Sequence, residues 1–232
     1  MDIQQKHQQA ENYYKNGKYQ EAFSIYLELA KLGDSQAETT LGYLYQNGEG
    51  VEKNSQKAKF WYEEAVKKEY PMAFYNLAVL YSNGTEIAKD DKTAFQLFLK
   101  SAILEIPHGQ FETAYMLEEG IGCEQNYSES AFWYEESAKR GNIEAFNNLG
   151  VLYRDGLGVE QDYAKAVHLF KRSADAGNHS AMYNLGFCYD NGFGVEQNTD
   201  LALEYLRKAS LNGNEKANAM LEELRNKGDF AF

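Results

Sequence analysis

A 36-residue period runs through this chain and constrains its fold more than any other feature. Aligning Ala37, Ala73, Gly109, Ala145, Ala181 and Ala217 gives a constant step with no gap, defining units 37–72, 73–108, 109–144, 145–180 and 181–216. An internal repeat of this length is the signature of stacked supersecondary modules.

The same chemistry returns in each unit. Position 5 reads Leu41, Leu77, Thr113, Leu149 and Leu185, and position 6 is always small: Gly42, Ala78, Ala114, Gly150 and Gly186. Position 9 is Tyr45, Tyr81, Leu117, Tyr153 and Tyr189. Position 12 is glycine throughout (Gly48, Gly84, Gly120, Gly156, Gly192), and position 14 is glycine except at Glu86. Position 18 is always Asn or Asp: Asn54, Asp90, Asn126, Asp162 and Asn198. Position 22 is Ala58, Ala94, Ser130, Ala166 and Ala202. A large apolar pair follows at positions 25 and 26, as in Trp61-Tyr62 and Leu169-Phe170.

This pattern predicts helix, loop, helix. Positions 1, 5, 8 and 9 form the buried stripe of a first helix, A. The position-12 glycine closes it in a left-handed conformation. The position-18 side chain caps a second helix, B, and each such cap is worth about 1 kcal/mol. Positions 22, 25, 26, 29 and 30 form the stripe of helix B. Glycine ends it at Gly141, Gly177 and Gly213; the first two units carry Glu69 and Glu105 there, each followed by a proline two residues on (Pro71, Pro107). One helix pair cannot bury both faces, so the pairs must stack into an all-α solenoid.

The pattern A-x-x-x-L-G-x-x-Y-x-x-G-x-G-V, most plainly Gly48-Glu49-Gly50-Val51 and Gly156-Leu157-Gly158-Val159, resembles the Sel-one-like repeat (SLR) family, relatives of the tetratricopeptide repeats. The resemblance implies a right-handed α/α superhelical solenoid of antiparallel helix pairs. Ala10, Tyr13, Gly17, Tyr19, Ala22 and Tyr26 resemble a tetratricopeptide unit with an inner loop four residues shorter. Residues 1–36 are therefore expected to form an N-terminal capping pair, 37–216 five repeats, and 217–232 a capping helix and tail. In that last segment Glu222 and Arg225 replace the small residue and the tyrosine, as suits a solvent-facing end. Phe230 and Phe232 close the tail, with docking on a neighbour and disorder both open.

Charge narrows the partners. The 232 residues carry 23 Lys+Arg against 35 Asp+Glu, a net charge of −12. Nucleic-acid binding by phosphate neutralisation is disfavoured, as is an anionic membrane surface. No stretch approaches the roughly 20 apolar residues of a membrane span. The N-terminus is polar and lacks a secretory signal, which makes the cytoplasm the expected compartment.

Catalytic and metal-binding patterns are sparse. Cys123 and Cys188, 65 residues apart, fit neither a disulfide framework nor a metal spacing. His7, His108, His168 and His179 fall at unrelated repeat positions. Neighbouring acids such as Glu63-Glu64 and Glu135-Glu136 point about 100° apart on a helix and read as a solvated face. The family has been linked to penicillin binding, but the sequence has no Ser-x-x-Lys, so a β-lactam-acting hydrolase is set aside. No cofactor, no metal and no enzymatic activity are expected.

Resemblance to tetratricopeptide solenoids puts positions 3, 7, 10 and 11 of helix A on a concave inner wall. Tyr43, Tyr75, Phe111, Tyr115, Tyr183 and Phe187 would make it aromatic, and Glu118, Glu119, Asp155 and Asp190 would make its rim acidic, with Arg154 the lone base. The aromatic positions either pack between neighbouring helices or face a ligand; Thr39 and Asn147 at position 3 argue for the ligand, since a core position would not admit them. Asn76, Asn148 and Asn184 at position 4 either bind a ligand or bond between helices. The expected function is a monomeric scaffold or adaptor holding a partner polypeptide there, its acids selecting a basic or polar ligand. An immunity protein gripping a toxin is a more specific alternative.

Overall fold

The computed structural model describes residues 1–84 and 86–227, apart from the side chain of Lys227. Phe230 and Phe232 lie outside the described residues. The described residues form thirteen α-helices: α1 (Ile3–Lys15), α2 (Tyr19–Lys31), α3 (Ser35–Asn47), α4 (Ser55–Val66), α5 (Pro71–Asn83), α6 (Asp91–Ile103), α7 (Pro107–Glu119), α8 (Tyr127–Lys139), α9 (Ile143–Asp155), α10 (Tyr163–Asp175), α11 (His179–Asn191), α12 (Thr199–Leu211) and α13 (Glu215–Lys227). They fall into two compact units, Met1–Met116 with Gly120–Glu124, and Leu117–Glu119 with Gln125–Phe232. In the first unit α1 packs on α2, α2 on α3, α3 on α4, and so on through α6; in the second the same succession runs from α8 to α13. Short loops make successive helices antiparallel.

Local chemistry sets every boundary of the repeat. Gly48, Gly84, Gly120, Gly156 and Gly192 all close helix A with φ between 60° and 75°. Asn54, Asp90, Asn126, Asp162 and Asn198 each accept a hydrogen bond from the backbone N–H three residues on, at 2.9–3.1 Å. Their own N–H groups reach back to the position-9 carbonyls, as in Asn54 N to Tyr45 O at 2.8 Å and Asn198 N to Tyr189 O at 2.9 Å. One residue thus starts helix B and ties the loop to helix A.

The core lies between A and B helices. Position 26 is its deepest point: Tyr62, Tyr134, Phe170 and Leu206 are fully buried and Phe98 nearly so. The small residue at position 6 sits under that side chain. A Cβ added at Gly42 would stand 2.4 Å from the Tyr62 ring, and one at Gly150 2.6 Å from Phe170. Its partner at position 25 is only half-buried in most repeats, as at Trp61 and Tyr205.

Two loop departures, at Glu86 and at the Glu69/Glu105 pair, have a structural explanation. Glu86 stands where the other repeats have their second loop glycine; its Oε2 accepts from the Ser55 N–H at 2.9 Å, at the first turn of α4. That bond holds the Glu86 carboxyl below its ordinary range. This tether is present above the usual glutamate pKa and is lost as pH falls through the depressed value.

Glu69 and Glu105 take left-handed φ angles of 56° and 63°, the conformation adopted by Gly33, Gly141, Gly177 and Gly213. The prolines do not substitute for that turn. They occupy the first position of α5 and α7, whose caps Tyr70 and Ile106 make no side-chain capping bond, unlike Asp34, Asn142 and Asn178. A left-handed non-glycine residue costs about 1–2 kcal/mol, part of which a glycine gives back through its freer unfolded chain. Glu69→Gly is therefore expected to stabilise the protein by up to about 1 kcal/mol, because the exposed Glu69–Lys100 pair (3.1 Å) offsets little of the gain. A urea midpoint that fails to rise would refute it.

Candidate functional site

In the first unit the A-helix face opens into a cavity of about 360 Å³. It is lined by Glu11, Tyr14 and Lys15 of α1, Tyr26 of α2, Gln36, Thr39, Thr40 and Tyr43 of α3, Tyr70, and Met72 and Asn76 of α5. Tyr43 is 42% exposed and Met72 38%, so the mouth is apolar and open to solvent. The Thr39 and Thr40 hydroxyls bond to the Ser35 and Gln36 carbonyls at 2.8 and 2.9 Å, so both are satisfied within α3. Burial first, then Glu49 and Tyr43, pushes the Tyr14 phenol up. Tyr26 is pushed up to about 12, by burial and then by Glu11. Burial, then Asp34, raises Tyr70.

In the second unit a directional chain of hydrogen bonds crosses the same face. Arg154 Nη1 donates to Asn184 Oδ1 (3.1 Å), Asn184 Nδ2 to Asn147 Oδ1 (2.8 Å), and Asn147 Nδ2 to Asn148 Oδ1 (3.1 Å). Asn148 Nδ2 then donates to the Tyr134 hydroxyl (3.0 Å), which donates to Glu118 Oε2 (2.7 Å). Every donor points from the guanidinium toward the carboxylate. Arg154 also forks onto Asp155 with two bonds of 2.7 Å and lies 5.9 Å from the Phe187 ring centroid. Beside this chain, a recess of about 600 Å³ is lined by Asn147, Arg154, Tyr183, Asn184, His179 and Lys216, among others. Phe187 and Tyr183 line the adjoining recess toward α13.

The Sel1 repeat profile matches residues 35–70, 71–105, 107–142, 143–178 and 179–214. The chain belongs to the Sel1 repeat family. A Sel1 repeat protein from Oxalobacter formigenes is 30% identical with a TM-score of 0.87, the match covering 94% of this chain and 87% of that one. The antigen c5321 of uropathogenic Escherichia coli, described as protective and as displaying an SLR fold, is 28% identical with a TM-score of 0.89; the match covers 98% of this chain but half of that one. The Pseudomonas aeruginosa immunity protein Pa5087 is 20% identical at a TM-score of 0.53 over 89% of this chain and 83% of that one, a likeness of fold alone. No curated protein sequence matches significantly. Sel1 repeat proteins generally mediate protein–protein interaction through non-enzymatic scaffolds. No helix among the described residues is long and apolar enough to cross a membrane.

Within this Sel1 repeat chain the expected site residues divide into distinct environments. Tyr43 and Asn76 meet in the first unit's cavity. Tyr115 is 41% exposed outside it. Tyr75 turns to the core, its ring 5.6 Å from Phe98 and 6.0 Å from His108, and Phe111 is half-buried. Arg154, Tyr183, Asn184 and Phe187 gather in the second unit, whereas Glu118 and Asn148 meet at Tyr134. At position 3, Thr39 and Asn147 are both buried with polar atoms bonded inside the fold, and each also lines a recess. Tyr14, Tyr26, Tyr70 and Met72 were not expected. The first two belong to the N-terminal pair, outside the 36-residue frame, and the last two sit where the first 36-residue repeat meets the second.

Proposed function

We propose that the protein is a non-enzymatic scaffold whose A-helix faces bind a partner polypeptide. The observation that supports this most directly is the open, tyrosine-lined cavity of the first unit, with Tyr43 and Met72 exposed at its mouth. Exposed aromatic groups beside a recess are the anchors that dominate protein-binding energetics. The exposed Tyr115 supports a contact that extends along the same unit. An immunity role draws only on the shared fold and gains nothing from these residues.

The test is affinity capture from the source cells with the wild-type chain and with Tyr43→Ser/Tyr115→Ser, read by quantitative mass spectrometry. Both tyrosines are exposed, so the double variant should fold. Recovery of the principal partner is expected to fall about tenfold or more, in line with losing an aromatic hot spot. Recovery equal to wild type would overturn the A-helix face as the binding surface.

A further inference from the structure

Resting on the reading of the A-helix face as a polypeptide site, we infer that the first unit's cavity receives an arginine side chain of the partner. Four phenol rings, from Tyr14, Tyr26, Tyr43 and Tyr70, line one cavity together with the Glu11 carboxylate. Ring faces attract cations, and a planar guanidinium both stacks on tyrosine and forks a carboxylate. The surrounding charge has the matching sign. Glu49 acts on Tyr14, Glu11 on Tyr26 and Asp34 on Tyr70. Of these carboxylates Glu11 lines the cavity itself, beside the exposed Lys15 in the last turn of α1, while Asp34 stands 3.1 Å from His7 Nε2. A cavity of about 360 Å³ accommodates one long side chain rather than a folded element. Thr39, Thr40 and Met72, which also line the cavity, suit the aliphatic stem of such a side chain.

The experiment is an NMR titration of the full chain with N-acetyl-arginine N-methylamide, and with the citrulline analogue as its neutral isostere. The arginine probe should shift the Met72 methyl and the amides of Thr39, Tyr43 and Asn76. The citrulline probe should bind at least tenfold more weakly. Tyr43→Leu should weaken the arginine probe about tenfold, and Glu11→Gln, which leaves every ring in place, about threefold. Equal binding of the two probes, shifts confined to other residues, no shift at all, or a folded Glu11→Gln variant that binds the arginine probe like wild type would overturn the inference. The capture experiment above is independent: a partner lost on changing Tyr43 and Tyr115 would keep the scaffold reading even if arginine and citrulline bind alike.

Discussion

Gly158→Ala is expected to lower stability by about 3 kcal/mol. Gly158 has φ 69°, and an added Cβ would lie 2.3 Å from the carbonyl carbon of Tyr127 and 2.4 Å from the Ser128 nitrogen. Those atoms belong to the first turn of α8, which opens the B helix of the preceding repeat. The loop of one repeat therefore rests, backbone on backbone, against the helix start of the one before. Ser128 Oγ reinforces the contact by donating to Gly158 O at 2.8 Å. Two costs add here: left-handed strain of about 1–2 kcal/mol, and overpacking of about 1–3 kcal/mol against atoms that cannot rotate away. Gly177→Ala is the matched control, since Gly177 has φ 96° with nothing within 4 Å of an added Cβ. It should lose only the strain. Urea midpoints of the two variants measure the difference, and equal losses would show that the inter-repeat contact yields without cost.

The same position shows what the sequence could reveal and what it could not. A glycine at position 14 reads as a turn residue from its recurrence alone. Its second role, admitting the neighbouring repeat's backbone, is invisible because the contact crosses from one unit of the period to another. Gly50 and Gly194 have the same relation to Tyr19 and Tyr163, with added Cβ atoms 2.3 Å from the carbonyl oxygens. Glu86 looks like a defect in the pattern until its carboxylate is seen on the Ser55 N–H. Likewise the capping role of Asn54 and its relatives follows from residue type and place, whereas the bond from its own N–H to Tyr45 O depends on how the loop folds back.

For the candidate site the limits are of another kind. Periodicity assigns a residue to a helix face but does not say whether a side chain on that face turns outward or down between helices. Tyr43 and Tyr75 illustrate this on neighbouring A helices: the first is exposed, the second packs against Phe98. The asparagines at position 4 could serve ligand or stack. Asn148 and Asn184 bond within the stack, while Asn76 lines the cavity. Tyr14 and Tyr26 escape the repeat register because the shorter inner loop of the N-terminal pair removes them from the alignment.

The hydrogen-bonded chain of the second unit yields the last prediction. Tyr134 is fully buried, and its hydroxyl joins Asn148 to Glu118. Tyr134→Phe keeps the ring but deprives both neighbours of that partner, at an expected cost of about 2–3 kcal/mol at pH 7. Tyr62→Phe, at the equivalent place, removes only a neutral bond to Gln46 (2.8 Å) and should cost about 1 kcal/mol. The two differ because one acceptor is a carboxylate. Burial raises the Glu118 pKa, and the Tyr134 hydroxyl pulls it back down. Removing the hydroxyl lets the pKa climb further. A raised carboxyl pKa favours folding below the usual glutamate value near 4.3, and that advantage disappears as pH rises through the folded-state value. The penalty of Tyr134→Phe should therefore be smallest near pH 4, where Glu118 is protonated with or without the phenol, and grow toward pH 7. Tyr62→Phe should show no such growth. Urea titrations of both variants at the two pH values decide the matter: a Tyr134→Phe penalty that stays constant with pH would mean that the phenol does not stabilise the Glu118 charge.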